Sequence, residues 1–349
     1  MEPWISHEEI GQSTGVVIPA FFSAKPSDDV VRHLLWVTLG DSPQYLPLEQ
    51  VCVVVDGDVR TARLAREVCE ALATETGQRL ILIVLPQNVG KLGAMREGIC
   101  TLLEAHPKIE WIVVRDGDGD HVLSAMPHLV RTAAFLRGIY GHSRLIVIGS
   151  RPSRHRPMGF GRGELEHLLD AVTVDALSYA LARQGRAMEL GYFLNPDAPD
   201  LSSGYKVYGR KMAESLFAHN VPRYLTLSKD DYWHYGPETV TVVEAVLEGA
   251  VLAEVPRPTW DGQPTTSFGE FRLLSLYGEL LAWVWARLEI PLGVAACHFD
   301  NHVPGMLLRT TGEGRELLER LRAYALEKVA RYRGEQGALP PPRPFLPFL

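Results

Sequence analysis

The sequence predicts an α/β fold: a mostly parallel sheet with helices on both faces, followed by a C-terminal helical extension. Three observations predict it. Five short apolar runs, four to six residues each and rich in β-branched side chains, fall within the first 150 residues. Their apolarity is nearly continuous rather than alternating, as in strands buried on both faces. Longer stretches with apolar residues three or four apart lie between them, which is helical spacing. Strands alternating with helices imply right-handed βαβ units. In such sheets a ligand sits at the carboxyl ends of the strands.

The runs come in this order: Gly15-Val-Val-Ile-Pro19, Val51-Cys-Val-Val-Val55, then 80–85, 111–114 and 145–148. Helices are predicted over 60–76, where Leu64, Val68 and Leu72 stand four apart, over 91–105 with Leu92, Met95 and Ile99, and over 127–140. Residues 150–163, rich in Arg, Pro and Gly, read as a long loop. A helix follows over 163–183, then a turn and the short strand Tyr205-Lys-Val-Tyr208. Residues 237–249 read as a helix, 251–255 as a strand ended by Pro256, and 270–288 and 314–333 as C-terminal helices before a Pro-rich tail.

Composition narrows the function. The 349 residues carry 35 Lys+Arg against 42 Asp+Glu, a formal charge of −7, which disfavours general nucleic-acid binding because phosphate recognition needs a basic surface. Cys52, Cys69, Cys100 and Cys297 have no metal-clip spacing, and three of them sit in apolar or amphipathic runs, so they read as buried thiols of a reducing compartment. The N-terminal stretch lacks a basic and then apolar signal pattern, so a secretory signal is not expected. The most apolar stretch, 273–299, is interrupted by Glu279, Arg287, Glu289 and Pro291, so no membrane span is expected either.

The chemistry concentrates at the strand ends. Asp56-Gly-Asp58 follows the second run, Asn88-Val-Gly-Lys91 the third, and Asp116-Gly-Asp-Gly-Asp-His121 the fourth. Three carboxylates interleaved with glycine repel one another unless a cation holds them, and Mg2+ or Mn2+ prefers such oxygen ligands. A solvated acidic turn is the plain alternative. A calcium loop is excluded because its twelfth position is Pro127. Lys91 stands where a helix begins, either facing phosphate or simply solvated. No GxxxxGK[ST] or GxGxxG motif is present.

Taken in order, these segments resemble GT-A-type inverting glycosyltransferases of family 2, most closely their polyprenyl-phosphate (dolichyl-phosphate mannose synthase-like) branch. The resemblance rests on Val16-Val-Ile-Pro19, Val54-Val-Asp56, Gly90-Lys-Leu-Gly93 with Ala94 and Gly98, and Asp116-Gly-Asp-Gly-Asp-His121. It continues through Ile148-Gly-Ser-Arg151, Asp200-Leu-Ser-Ser-Gly-Tyr205 and Glu254-Val-Pro256, and so spans about residues 15 to 256. It implies a nucleotide-sugar-binding half over 1–150, an acceptor half over 151–265, a helical extension over 266–335 and a tail over 336–349. By the same resemblance Pro19, Ala20 and Asp56 meet the base and ribose of the donor, with Gly90 in the matching loop. Asp116 and Asp118 hold Mg2+ or Mn2+ against the diphosphate, and Asp120 is a third candidate ligand. Lys91 and Arg151 face donor or acceptor charge, and His121 orients the aspartates.

The implied reaction is metal-dependent transfer of a hexose, with inversion, from a nucleoside-diphosphate sugar. The acceptor is either a polyprenyl phosphate or a soluble molecule, phosphorylated or not. A phosphate acceptor needs no general base, whereas a hydroxyl does, with Asp200, Asp230, Asp231 and Glu238 as candidates. The sequence departs from the family at Phe21-Phe22-Ser23 and lacks two basic residues over 260–269, for which Arg257 or Arg272 are substitutes. Arg154, His155, Arg156 and Arg162 form a basic loop read as a phosphate-clamping lid. Tyr232, Trp233 and Tyr235 are read as sugar-stacking or packing residues, Trp283 and Trp285 as core. A cytoplasmic location is expected, with peripheral contact at the inner membrane face and a homo-oligomer left open. The competing readings are a nucleotidyltransferase, which lacks here its Gly-rich, Arg-containing loop after the first strand, and a non-catalytic sugar-nucleotide binder.

Overall fold

The computed structural model describes residues 4–23, 25–155, 159–193, 199–259 and 273–343. Its strands are β1 (Thr14–Ala20), β2 (Val51–Val55), β3 (Ile81–Val84), β4 (Trp111–Val114), β5 (Leu145–Ser150), β6 (Glu189–Tyr192), β7 (Lys206–Gly209) and β8 (Val251–Pro256). They form one eight-stranded sheet in the order β3-β2-β1-β4-β7-β5-β8-β6. Every neighbouring pair is parallel except those of β7, which runs antiparallel between β4 and β5. The chain leaves β1 for β2 on one side and later enters β4 on the other. A crevice therefore opens beyond the carboxyl ends of β1 and β4.

The principal helices are α1 (His7–Ser13), α2 (Asp28–Leu39), α3 (Val59–Thr76), α4 (Lys91–Ala105), α5 (Met126–Tyr140), α6 (Phe160–Ala182), α7 (Lys229–Tyr235), α8 (Thr239–Leu247), α9 (Leu273–Arg287), α10 (Leu292–His302) and α11 (Gly312–Arg333). Strand periodicity sends alternate residues to opposite faces of the sheet. Val17, Cys52, Val54, Ile112 and Ile146 join one core with α4, α6, α8 and the C-terminal helices. Val16, Val53, Val113 and Val147 join the other with α2, α3 and α5.

The C-terminal helices belong to the first core. Trp283 and Trp285 are fully buried. Trp283 Nε1 donates to the Arg223 carbonyl at 2.7 Å, and Arg287 donates to both Glu244 oxygens at 2.7 Å. Among the described residues no helix is long and apolar enough to cross a membrane.

Several expectations are corrected. The loop read over 150–163 is shorter, because α6 already starts at Phe160 after Gly159, whose positive φ of 78° turns the chain into the helix. β6 was not foreseen, since Glu189-Leu-Gly-Tyr192 is a mostly exposed edge strand without a continuous apolar run. α2 and α10 were missed as well. Only Cys52 is buried, and the other three free cysteines are partly exposed. The start of the predicted 270–288 helix, Arg156, Arg272, residues 260–269 and the Phe345–Leu349 part of the tail lie outside the described residues.

Candidate active site

A cavity of about 300 Å³ opens at the carboxyl ends of the parallel strands. Pro19 and Ala20 at the end of β1, with Phe21, Phe22 and Ser23, form one end, joined by Asp56 and Asn88. Asp116, Gly117 and Asp118, from the loop after β4, reach it together with Lys91 and Glu238. Arg151, Arg162, Glu166 and Arg257 line it further on, beside an apolar wall of Leu169 from α6 and Leu276, Tyr277 and Leu280 from α9.

Asp56 is set by the loop before α4. Its two oxygens accept the backbone N–H of Val89 at 2.7 Å and of Gly90 at 3.0 Å. Burial still pushes its carboxyl above the ordinary value against those bonds. Gly90 holds φ at +84°, and a Cβ there would lie 2.5 Å from the Trp233 backbone. The position therefore demands glycine. Gly90 does not line the cavity; it positions Asp56.

Lys91, the first residue of α4, sits between two carboxylates. Its Nζ is 2.7 Å from Asp116 Oδ1 and 2.8 Å from Glu238 Oε1. Burial opposes its charge, but Asp116 and Glu238 hold its pKa well above the usual lysine range. Burial likewise opposes the Asp116 charge, yet Lys91 keeps that carboxyl below the ordinary carboxylate range. The turn ending in Gly204 packs on this pair; a Cβ at Gly204 would lie 2.9 Å from both Asp116 Oδ2 and Lys91 Nζ.

Asp118 is in the opposite condition. Burial, and next the adjacent Asp116 charge, push its carboxyl up to about 7. Its one hydrogen bond in the loop comes from the Asp120 N–H at 3.2 Å. A cation placed against it would relieve both effects.

Asp120 corrects the expectation of three converging ligands. It is 4% exposed and does not line the cavity. Its Oδ2 lies 3.4 Å from Arg257 Nη2, and its Oδ1 is buried without a hydrogen-bond partner among the described residues. Among the described residues no group of three or more His, Cys, Asp or Glu is placed to hold a metal. The pair Asp116 and Asp118 remains, which suits an ion that keeps waters and takes further oxygens from a substrate phosphate.

His121 sits behind the aspartates. The Asp116 N–H donates to its Nδ1 at 2.8 Å, so the ring carries its hydrogen on Nε2, 3.8 Å from Asp116 Oδ2. Its ring stacks on Tyr205 with centroids 5.1 Å apart. Burial and the Arg257 charge drive its pKa far down, so it is neutral.

Asp200 is placed differently from a catalytic base. It is 3% exposed, does not line the cavity, and accepts from the Arg151 backbone, Nε and Nη2. Burial opposes its charge, but Arg151 holds its pKa below the ordinary range. A carboxylate so stabilised as an anion is a poor proton acceptor. Arg151 in turn lies 2.8 Å from Glu166 as well, so its guanidinium is taken up inside the protein. Neither Asp230 nor Asp231 lines the cavity. Asp230 is on the surface beside His234, and Asp231 accepts from its N-cap Ser228 hydroxyl at 2.6 Å. Of the four candidate bases, only Glu238 faces the cavity.

The described members of the basic loop, Arg154, His155 and Arg162, are likewise tied down. Arg154 pairs with Asp170 at 3.1 Å, His155 with Glu164 at 2.8 Å and Arg162 with Glu166 at 2.9 Å. Tyr235 lines the cavity, Tyr232 is core, and Trp233 lines a separate small pocket.

Sequence reasoning missed Glu166, Leu169, His234 and the α9 wall, whereas Asn88, singled out with its strand-end segment, does reach the cavity. His234 Nε2 lies 2.8 Å from Asn88 Oδ1 at the cavity edge. The missed residues sit within ordinary helix and turn patterns, where no local signal separates a cavity face from a core face.

No family model matches the sequence, and no curated protein matches it. Solved structures do match. One is the mannosyltransferase PcManGT from Pyrobaculum calidifontis in complex with GDP-Man and Mn2+, 15% identical, covering 93% of this chain and 88% of its own, with a TM-score of 0.48.

Proposed function

We propose that this chain is a metal-dependent glycosyltransferase that moves a hexose, with inversion, from a nucleoside-diphosphate sugar to an acceptor bound along the α6–α9 wall. The observation that carries the reading is the cavity at the strand ends, which Asp56, Asp116 and Asp118 line together with Lys91. Pro19, Ala20 and Asp56 receive the base and ribose. Asp116 and Asp118 hold Mg2+ or Mn2+, which would supply the positive charge that the departing diphosphate needs. Asp118 fits that role because its carboxylate is buried and pushed up to about 7 without a cation.

Lys91 serves the same leaving group. Held well above the ordinary lysine range by its two carboxylates, it stays cationic at every working pH. A fixed cation beside developing phosphate charge stabilises the transition state. Arg257 and His121 keep the acidic loop in place from behind.

The test is a thermal-shift panel of nucleoside diphosphates and their sugars, with and without Mn2+, on the wild type and Asp118→Ala. A ligand at about 100-fold its Kd stabilises by roughly 2.7 kcal/mol. A Mn2+-dependent shift with one base, absent in the variant, is the expected result. No shift with any nucleotide sinks the reading.

A further inference from the structure

We propose that the acceptor is an uncharged hydroxyl compound with an apolar body, not a phosphate, and that Glu238 takes its proton. The inference deepens the glycosyltransferase reading and rests on it.

The argument is a charge balance at the acceptor end. A phosphate acceptor carries one or two negative charges and needs cations still available to it. Each described basic side chain lining the cavity already has a carboxylate. Lys91 is 2.7 Å from Asp116 and 2.8 Å from Glu238. Arg151 is 2.6 Å from Asp200 and 2.8 Å from Glu166. Arg162 Nε is 2.9 Å from Glu166, and Arg257 is 3.4 Å from Asp120. Asp56 and Asp118 add further negative charge to the same space. A divalent ion would be balanced by the donor diphosphate, so among the described residues no cation is left over for a second anion.

The wall beyond these pairs is apolar. Leu169 stands one helical turn after Glu166 on α6, and Leu276, Tyr277 and Leu280 on α9 complete it. A hydroxyl at the polar end with hydrocarbon against the leucines matches that division.

A hydroxyl acceptor requires a base, and Glu238 is the candidate that faces the cavity; its cation, Lys91, is shared with Asp116, whereas Asp200 accepts three Arg151 donors away from the cavity. The acceptor oxygen forms the new bond to the anomeric carbon. The bond from that carbon to the diphosphate oxygen breaks, and its electron pair leaves with the nucleoside diphosphate. The hydroxyl proton passes to the Glu238 carboxylate.

The experiment uses the full chain with Mn2+ and the nucleoside diphosphate that binds best. Octyl β-glucoside below its micelle concentration, citronellyl phosphate and inorganic phosphate are titrated by calorimetry. Octyl glucoside is expected to bind at least tenfold more tightly than citronellyl phosphate, with no heat from inorganic phosphate. In Glu166→Gln, which removes a carboxylate from Arg151 and Arg162, citronellyl phosphate should gain at least tenfold. Transfer to octyl glucoside, followed by mass spectrometry, should fall at least 100-fold in Glu238→Gln while donor binding stays within twofold. Citronellyl phosphate binding the wild type as tightly, or octyl glucoside failing to bind, overturns the acceptor inference alone. Transfer surviving in Glu238→Gln removes the base. A protein that binds no nucleoside diphosphate overturns the underlying reading, and the acceptor inference with it.

Discussion

Arg151 and Asp200 form a closed pair. The Asp200 carboxylate accepts the Arg151 backbone N–H at 2.8 Å, Nε at 2.9 Å and Nη2 at 2.6 Å, and both side chains are at most 4% exposed. The pair ties the end of β5 to the turn before β7, and the Asp200 N–H in turn donates to Glu254 on β8. Removing one partner strands a buried charge, which costs about 3–5 kcal/mol. Asp200→Ala and Arg151→Ala should each lose that much in urea unfolding. The double variant should lose clearly less than the sum. Additive losses would show that the two side chains do not act as a unit.

Asp118 and Asp116 repel each other in the same loop. Asp118→Asn should therefore raise the Tm of the metal-free protein at pH 8, by roughly 2 °C or more, since ~1 kcal/mol corresponds to about 2–4 °C in a mid-sized domain. The same variant should lose the Mn2+-dependent part of nucleotide binding. Calorimetry with EDTA and then Mn2+ separates the two effects. A lower metal-free Tm would contradict the repulsion.

Lys206 on β7 is 1% exposed and donates to the Ser203 carbonyl. Burial lowers its pKa to about 8 from an ordinary value of 10.5. From pH 8 to 10.5 the unfolded chain binds a proton that the folded chain lacks, so stability from this group rises with pH across that window. Below pH 8 both states are protonated and the penalty is complete. Lys206→Met should remove the rise, which is about 3 kcal/mol at 1.36 kcal/mol per pH unit. Denaturation curves for both proteins at pH 7.5 and 10 check it.

Gly90→Ala forces on alanine a conformation, φ 84° and ψ 158°, that is essentially glycine's alone, at about 1–3 kcal/mol, and presses its Cβ to 2.5 Å from the Trp233 backbone. The loop must shift, and Asp56 loses the two N–H groups that hold it. Nucleotide binding should weaken at least tenfold while the variant remains folded by circular dichroism. Unchanged affinity would remove Asp56 from the donor site.

Trp283 links α9 to the rest of the molecule through its buried ring and the Arg223 carbonyl. Trp283→Ala should cost about 3–5 kcal/mol. A loss below 1 kcal/mol in urea unfolding would show that α9 contributes little to the common core.

Much of the fold was legible because buried parallel strands announce themselves. Val51–Val55 and Trp111–Val114 match the predicted runs residue for residue. The edge strand β6 was not legible, since a half-exposed strand with a glycine carries no such run. The site divides similarly. Asp56, Lys91, Asp116 and Asp118 all reach the cavity, because a strand end in a parallel sheet places its next residues there. Asp120 follows the same motif, but the loop turns through Gly119 at φ 81° and carries it to Arg257. Alternation with glycine says nothing of which way each carboxylate points.

The sequence by itself determined the strand-and-helix alternation, the sheet class and the placement of the acidic loops at its carboxyl edge. Those follow from local periodicity and from the handedness of βαβ connections, which need no knowledge of distant neighbours. Only the tertiary structure decided which charges are available. Lys91 meets Glu238 from 147 positions away, and Arg151 meets Asp200 from 49. A charged residue in sequence is a donor or acceptor in general. Whether it faces a ligand or is neutralised inside the protein depends on a few ångströms between segments that the chain brings together only on folding.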